Sequence, residues 1–340
     1  MIDLRSDTVT KPSEAMREAA RNATVGDDVH REDPTVMELE ERAAEILGMD
    51  AALYVASGTM GNQVAVLTHT TPGQEVILES NCHIYNWECG GLATNGGIQA
   101  RPLDGGATGL FSIEQLDDAF VEESLHRAGT GLVCIENTHN HAGGVPHSPD
   151  AITARAEIAH DHGVALHIDG ARLWNAAVSL EVDPRELVEP VDSVMVALTK
   201  GLGAPVGSIL AGSSSFIAQA RRQRKRLGGG MRQAGIIAAP GLLALEQRDH
   251  LPADHERARR LANALDELDG LSVATPETNI IVAEVTQADR GVEAFLTACE
   301  HNGVRGIAFG ENTVRFCTHL DIDDSDIDIA IDAISAAIEP

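Results

Sequence analysis

The sequence predicts an α/β fold, a mostly parallel sheet flanked by helices, followed by a smaller C-terminal α+β domain. Three observations lead there. Short apolar runs alternate with stretches of helical spacing, as in strands joined by crossover helices. The runs are apolar almost throughout instead of at every second position, the pattern of strands covered on both faces. Each run leads into a short polar cluster, and in open α/β sheets the ligand crevice lies at the carboxyl ends of the strands.

The elements follow in order. TVMELEERAAEILG (35–48) places Val36, Leu39, Ala43, Ile46 and Leu47 on one helical face, and Gly48 ends it. AALYVAS (51–57) reads as a strand running into SGTMGN, and EVILE (75–79) as a second, followed by SNCHIYNWE. GLVCIENTHN (131–140) is a buried strand with a polar exit. AITARAEIAHDHG (151–163) is helical up to Gly163, VALHIDGAR follows as a strand, and SVMVALTKG (193–201) repeats that plan. The texture changes after about residue 250. A charged helix, HERARRLANALDEL (255–268), leads to the strand-like LSVAT and NIIVAEV. The helix GVEAFLTACEHNG, the strand TVRFCTH and a terminal helix rich in Ile and Ala complete the chain. The division is a large domain over 1–250, with the N-terminal segment, and a small domain over 251–340. That agrees with about 150 residues per domain as a prior for 340 residues.

Composition bounds the partners. The formal charge is −27, from 25 basic and 52 acidic residues, which repels phosphate backbones and anionic lipid. Only Lys11, Lys200 and Lys225 are lysines, against 22 arginines. An acidic, lysine-poor surface of this kind is expected of a halophilic-type protein, because salt screens the self-repulsion. Five cysteines, an odd number in a long chain, point to reduced thiols. The start, MIDLRSDTVTKP, has no apolar targeting region, and IIAAPGLLAL (236–245) is too short to span a bilayer. A soluble, cytoplasmic protein is expected.

Lys200 follows the apolar run VMVAL and is flanked by Gly201 and Gly203. A lysine desolvated at a strand exit becomes a nucleophile towards carbonyls; the same position also suits a surface lysine capping a strand. Asp169 closes the strand VALHID. A buried carboxylate there needs a cation, either Arg172 nearby or a pyridinium nitrogen. Ser57-Gly58-Thr59-Met60-Gly61-Asn62 joins a strand to a helix, where small residues expose N–H groups to an anion or simply cap the helix. Dinucleotide and Walker-type glycine patterns are not present in that stretch.

An anion cradle, then an aspartate, then a lysine on successive strand exits resembles the fold-type-I pyridoxal-phosphate (PLP) enzymes. DLRSDTVTKP, VGDD, EDPT, SGTMGNQ, ENTHN, HIDGAR, SVMVALTKGLGAPVGS and LGGGMRQAG, in that order from residue 3 to about 320, resemble the threonine aldolase family. The resemblance implies the following roles. Lys200 forms the covalent link to the cofactor, Asp169 pairs with its ring nitrogen, and Gly58 and Thr59 bind its phosphate. Arg232, in GGGMRQAG, adds a cation to the phosphate site across a subunit interface, and His83 stacks on the ring. Arg172 and Arg315 clamp the substrate carboxylate, with Ser6 assisting; a guanidinium fork suits that group. His83 and His126 are the candidates for hydroxyl recognition or proton transfer, and Lys225 matches a lysine near the site. The implied reaction is retro-aldol cleavage of a β-hydroxy-α-amino acid to glycine and an aldehyde, in a homodimer or homotetramer with shared sites. One departure concerns His30-Arg31, where the family commonly has a tyrosine followed by glycine. Asn86 and Trp87 lie in a second variable stretch.

Other readings compete. His139, His141 and His147, or His160-Asp161-His162 with His167 and Asp169, are residue types that would suit a metal-dependent hydrolase. The run ARRQRKR (220–226) is the one basic block, open to a polyanion or to an ordinary solvated helix face. A β-eliminating lyase or a transaminase would share the lysine–aspartate framework.

Overall fold

The computed structural model describes residues 1–286 and 291–338. Seven strands form its main sheet, in the spatial order Ala51–Val55, Ser208–Gly212, Ser193–Ala197, Ala165–Gly170, Thr130–Glu136, Glu75–Glu79 and Gln99–Leu103. Ser208–Gly212 runs antiparallel to both neighbours, and the remaining pairings are parallel. Alternation along each strand sorts the side chains onto two faces. Leu132 and Cys134 pack against Val66, Ile84 and Leu92 on one side. Val133 and Ile135 join Leu39, Ile152, Leu173 and Ala238 on the other. With helices on both faces, nearly every residue of the six strands other than the edge strand Gln99–Leu103 is buried, which is why these segments read as continuous apolar runs.

Local chemistry sets the element ends. The helix Pro34–Leu47 starts with Asp33 accepting from the Val36 N–H at 3.1 Å and has Pro in its first turn; Gly48, at φ +66°, ends it. Ser57 accepts from the Met60 N–H at 3.1 Å and starts the helix Gly58–His69. Gly61 lets that helix lie against the sheet, because a Cβ there would stand 2.5 Å from Met195 Cγ.

A second core gathers around the antiparallel sheet Ile307–Ala308, Thr313–Cys317, Ile280–Val285 and Leu271–Val273, with the helices Leu251–Asp266, Gly291–His301 and Asp324–Ile338. The N-terminal segment spans both cores. Ile2–Asp3 pairs in parallel with Val304–Arg305, and Leu4 O accepts from the Cys317 N–H at 2.8 Å. Thr10 Oγ1 then donates to Lys200 O at 2.8 Å. Residues 2–4 thus pack with the C-terminal core while residue 10 holds the lysine turn. Among the described residues, no helix is long and apolar enough to cross a membrane. Cys82, Cys89, Cys134 and Cys317 are free thiols.

Candidate active site

Parallel register sets Glu136 beside Asp169, and Asp169 beside Met195, at the carboxyl ends of three adjacent strands. Above them lies a cavity of about 270 Å³. Ser6, Gly58, Thr59, His83, Asp169, Arg172, Lys200 and Arg315 all line it. Segments from residue 6 to residue 315 therefore meet where the strand exits predicted a crevice.

Arg172 does not pair with Asp169. Its Nε and Nη2 each donate to the Asp7 carboxylate at 2.7 Å, a bidentate fork in a fully buried setting. Burial alone would raise the Asp7 pKa, but the Arg172 charge and its two hydrogen bonds hold the carboxyl well below the usual range. Asp169 is consequently a buried carboxylate that makes no ion pair with an arginine or lysine among the described residues. Its Oδ2 accepts from Asn62 Nδ2 at 2.8 Å and its Oδ1 from the Ala171 N–H at 3.1 Å. A carboxylate in that position asks for a positive group in the cavity, which a protonated pyridine nitrogen supplies.

Lys200 sits in a left-handed turn at φ +59° directly after the strand Ser193–Ala197 and Leu198-Thr199. Burial, with the Arg172 charge behind it, moves the ammonium pKa below the ordinary lysine value against the opposing pull of Asp7, Asp169 and Glu136. An amine that loses its proton more readily is the form that attacks a carbonyl carbon. At the N-terminus of the helix Gly58–His69, Met60 N–H goes to the Ser57 side chain and Gly61 N–H to Ser57 O. The N–H groups of Gly58 and Thr59 have no hydrogen-bond partner among the described residues, which leaves an anion seat at a helix start. Carboxylate, lysine and anion seat together fit PLP.

His83 opens a short helix, His83–Asn86, with its backbone N–H donating to Glu136 Oε2 at 2.6 Å. Its Nδ1 lies 3.1 Å from Glu88 Oε1. Glu88 is buried and also accepts from Asn62 Nδ2 at 2.9 Å and Gln63 Nε2 at 2.6 Å. Burial lowers the imidazole pKa, but the Glu88 hydrogen bond and the Asp169 and Glu136 charges outweigh it and leave the pKa raised. Burial pushes the Glu136 carboxyl up as well, with His139 opposing and Asp169 adding.

Opposite this acidic group, Arg172 Nη1 and Arg315 Nη1 both donate to Asn140 Oδ1, at 3.1 and 3.0 Å. Two guanidiniums converging in one cavity make a carboxylate clamp. Ser6 is nearby as the cap of the short turn Asp7–Val9, with its hydroxyl 3.3 Å from Asp7 Oδ1.

Three expected residues stay outside the cavity within one chain. His126 stands exposed on the loop between Ala119 and Thr130, beside Leu125, which is 93% exposed. Val121 ties that loop to Thr130, at the entry and not the exit of its strand. Arg232 is half exposed, its Nη1 donates to Asp27 Oδ2 at 2.7 Å, and it does not line the cavity that holds Gly58 and Thr59. Lys225 is exposed on the helix Ser214–Arg226. Two arginines of the same basic run turn inward at helical spacing. Arg221 Nη2 donates to Glu40 at 2.6 Å; Arg224 donates to Asp28 Oδ2 at 2.6 Å and Tyr54 O at 2.7 Å. The run is therefore a half-buried helix flank. Arg31 occupies a left-handed position at φ +58°, where the family's glycine would rest without strain.

The histidines that suggested a metal hydrolase are dispersed. His160 pairs with Asp192 at 2.9 Å, His162 with Asp117 at 2.8 Å, and His139 with Glu79 at 2.9 Å. His167 bridges Ser193 and Asn62. Among the described residues, the convergent His/Cys/Asp/Glu group is His83, Glu88 and Asp169, within the cavity already described, with the Asn62 N–H groups between its two carboxylates. Sequence reasoning missed Asp7, Asn62, Glu88 and Asn140. Asp7 and Asn140 stand inside the SDT and ENTHN motifs, which were the available signal for them.

These residues define a PLP-dependent lyase site. Residues 3–288 match the family model described as β-eliminating lyase. The chain is 43% identical to low-specificity L-threonine aldolase 1 of Arabidopsis thaliana, over 99% of this chain and 96% of that protein. It is 41% identical to the low specificity L-threonine aldolase of Escherichia coli O157:H7, with 95% of each covered. The solved structure of Leishmania major threonine aldolase superposes with a TM-score of 0.83 over 100% of both chains at 19% identity, which speaks for the fold. The chain belongs to the β-eliminating lyase family of PLP-dependent enzymes, and within it to the threonine aldolases.

Proposed function

We propose that the chain cleaves L-threonine and L-allo-threonine to glycine and acetaldehyde, and β-hydroxy-α-amino acids of the same form to glycine and the matching aldehyde. The observation that carries this reading is the convergence of the Arg172 and Arg315 guanidiniums in one cavity with Lys200, Asp169 and His83. An α-amino acid presents an amine and a carboxylate on one carbon, and that cavity offers a place for each.

Asp169, Lys200, Gly58 and Thr59 would hold PLP, which when bound supplies the electron sink for the pair left on Cα after bond cleavage. Arg172 and Arg315 hold the carboxylate. With Nδ1 turned to Glu88, His83 presents Nε2 as the site that takes the β-hydroxyl proton. As that O–H bond breaks, the hydroxyl oxygen becomes the aldehyde carbonyl and the Cα–Cβ electron pair stays on Cα, where uptake of a proton completes glycine. Glu88 stabilises the imidazolium that forms.

The chain works in the cytoplasm as a homodimer or homotetramer, with a halophilic-type surface. Support comes from the free thiols, the −27 charge, and the exposure of His126, Arg232 and Trp87, which a second copy would cover.

The test is product analysis beside an absorbance spectrum, for wild type and Lys200→Ala. Glycine and acetaldehyde in equal amounts from either isomer, lost with the cofactor band in the variant, is the expected result. Pyruvate and ammonia from the same substrates would instead assign a β-eliminating enzyme, and an absence of cofactor absorbance after adding PLP would reject the site.

A further inference from the structure

Asn140 occupies an unusual position between two cations. Its backbone N–H donates to Glu136 Oε1 at 2.8 Å, which fixes the residue just past the exit of the strand Thr130–Glu136. From there its side-chain oxygen accepts from Arg172 Nη1 at 3.1 Å and from Arg315 Nη1 at 3.0 Å. The two arginines come from distant parts of the chain, and their remaining contacts are separate. Arg172 is fixed by Asp7, while Arg315 Nη2 donates to Arg5 O at 3.1 Å and its guanidinium lies 5.0 Å from the Phe309 ring. Arg315 Nε is buried with no hydrogen-bond partner. Asn140 is thus the atom-level link between them.

The physical need is plain. Like charges in a half-buried cavity repel, and two guanidiniums left alone would swing apart or take up water. A neutral amide oxygen between them satisfies one N–H of each without cancelling their charge. A carboxylate in that place would satisfy them equally well but would neutralise the anion seat. The amide Nδ2 has no hydrogen-bond partner among the described residues, and Asn140 lines the cavity. It leaves one more donor at the edge of the seat.

We propose that Asn140 is a positioning residue for the substrate carboxylate: it holds Arg172 and Arg315 aimed at one point while preserving their positive charge. This rests on the reading of the cavity as an amino-acid site, and it assigns Asn140 a role in binding the acid group and not in bond cleavage.

Two variants test it in the cofactor-loaded protein, Asn140→Ala and Asn140→Asp. Asn140→Ala is expected to raise the KM for L-allo-threonine about tenfold, the loss of one charge-assisted hydrogen-bond link, with kcat falling less than threefold. Asn140→Asp is expected to raise it further, by about a hundredfold, because its carboxylate occupies the clamp as a built-in competitor. A merely structural role predicts the opposite order, since aspartate keeps the size and both arginine contacts. Calorimetric titration with glycine, and with ethanolamine as the amine lacking a carboxylate, gives a readout free of turnover. Glycine binding weakens in both variants, while ethanolamine binding does not. Melting temperature and cofactor absorbance establish that each variant is folded and loaded. Unchanged KM and glycine affinity in both variants, or an aspartate variant that matches wild type, would overturn the proposal. If wild type binds glycine but cleaves no β-hydroxy amino acid, the aldolase reading fails while the glycine series still decides the role of Asn140.

Discussion

Glu88 Oε1 lies 3.1 Å from His83 Nδ1, so a carboxylate buried behind the cavity sets the protonation of the imidazole that faces into it. Glu88 is itself held by Asn62 and Gln63, and Asn62 reaches on to Asp169. One amide thereby connects Asp169, proposed to hold the cofactor, with the carboxylate that pairs with His83, proposed to move the substrate proton.

Removing that charge tests the link. Glu88→Gln keeps the shape and takes away the main group that raises the His83 pKa. The imidazole is expected to titrate lower, by NMR of the His83 ring, because the opposite charge at hydrogen-bond distance that holds its pKa up is gone. The imidazolium formed during proton transfer loses its partner, so kcat should fall by about tenfold or more. An unmoved titration would separate Glu88 from His83 function.

The buried pair of Asp7 and Arg172 makes a stability prediction. Asp7→Ala leaves a fully buried guanidinium without its counter-charge. Breaking such a pair costs about 3–5 kcal/mol. The expected outcome is a large drop in the denaturation midpoint together with weaker glycine binding, measured by denaturant unfolding and calorimetry. A stable variant with wild-type glycine affinity would show that the clamp is held by other contacts.

Asp254 predicts a pH effect away from the cavity. It is buried in the helix Leu251–Asp266, and neither carboxylate oxygen has a hydrogen-bond partner. Arg257 Nη1 is 3.5 Å away and His250 Nε2 is 3.9 Å away, while His250 also bonds Gly201 O at 2.6 Å. Burial pushes the carboxyl up to about 7, with Arg257 and His319 opposing. Between the unfolded value near 4 and the folded value near 7, the folded state keeps a proton the unfolded state has lost. Stability therefore falls as pH rises through that window and is flat above it. Asp254→Asn should remove this slope, so its stability relative to wild type improves by about 2 kcal/mol between about pH 5.5 and pH 8. Parallel unfolding curves at the two pH values would refute it.

Salt should stabilise the fold. With a formal charge of −27, self-repulsion acts over about 10 Å at 0.1 M salt and about 3 Å at 1 M. The melting temperature is expected to rise by several degrees as KCl is increased, and a flat response would remove the halophilic-type reading.

Much of this architecture was legible because it is local. EVILE became the strand Glu75–Glu79 with the same bounds, and Gly48 ends its helix through the φ +66° it alone tolerates well. Lys200 and Asp169 were visible because a buried run that ends in a polar residue marks a strand exit, and parallel strands deliver their exits to one edge. The strand Ser208–Gly212 was not read at all. Its five residues, SILAG, follow the glycine-rich lysine turn, and its reversed direction shows only in its pairing with Ala51–Val55 and Ser193–Ala197.

The sequence by itself determined which segments are buried, where the strands end, and which reactive groups stand at those ends, since burial patterns have periods of two or 3.6 residues that a single segment displays. Only the tertiary structure decided which charge meets which. Asp7 takes Arg172 from 165 residues away, and that choice leaves Asp169 without a guanidinium partner. Asn140 joins Arg172, 32 residues on, to Arg315, 175 residues on, and Arg221 and Arg224 leave the basic run for Glu40 and Asp28. A buried ion needs a partner, but several candidates satisfy that demand on paper. The one it obtains is fixed by the order in which strands and helices stack, which no local pattern records.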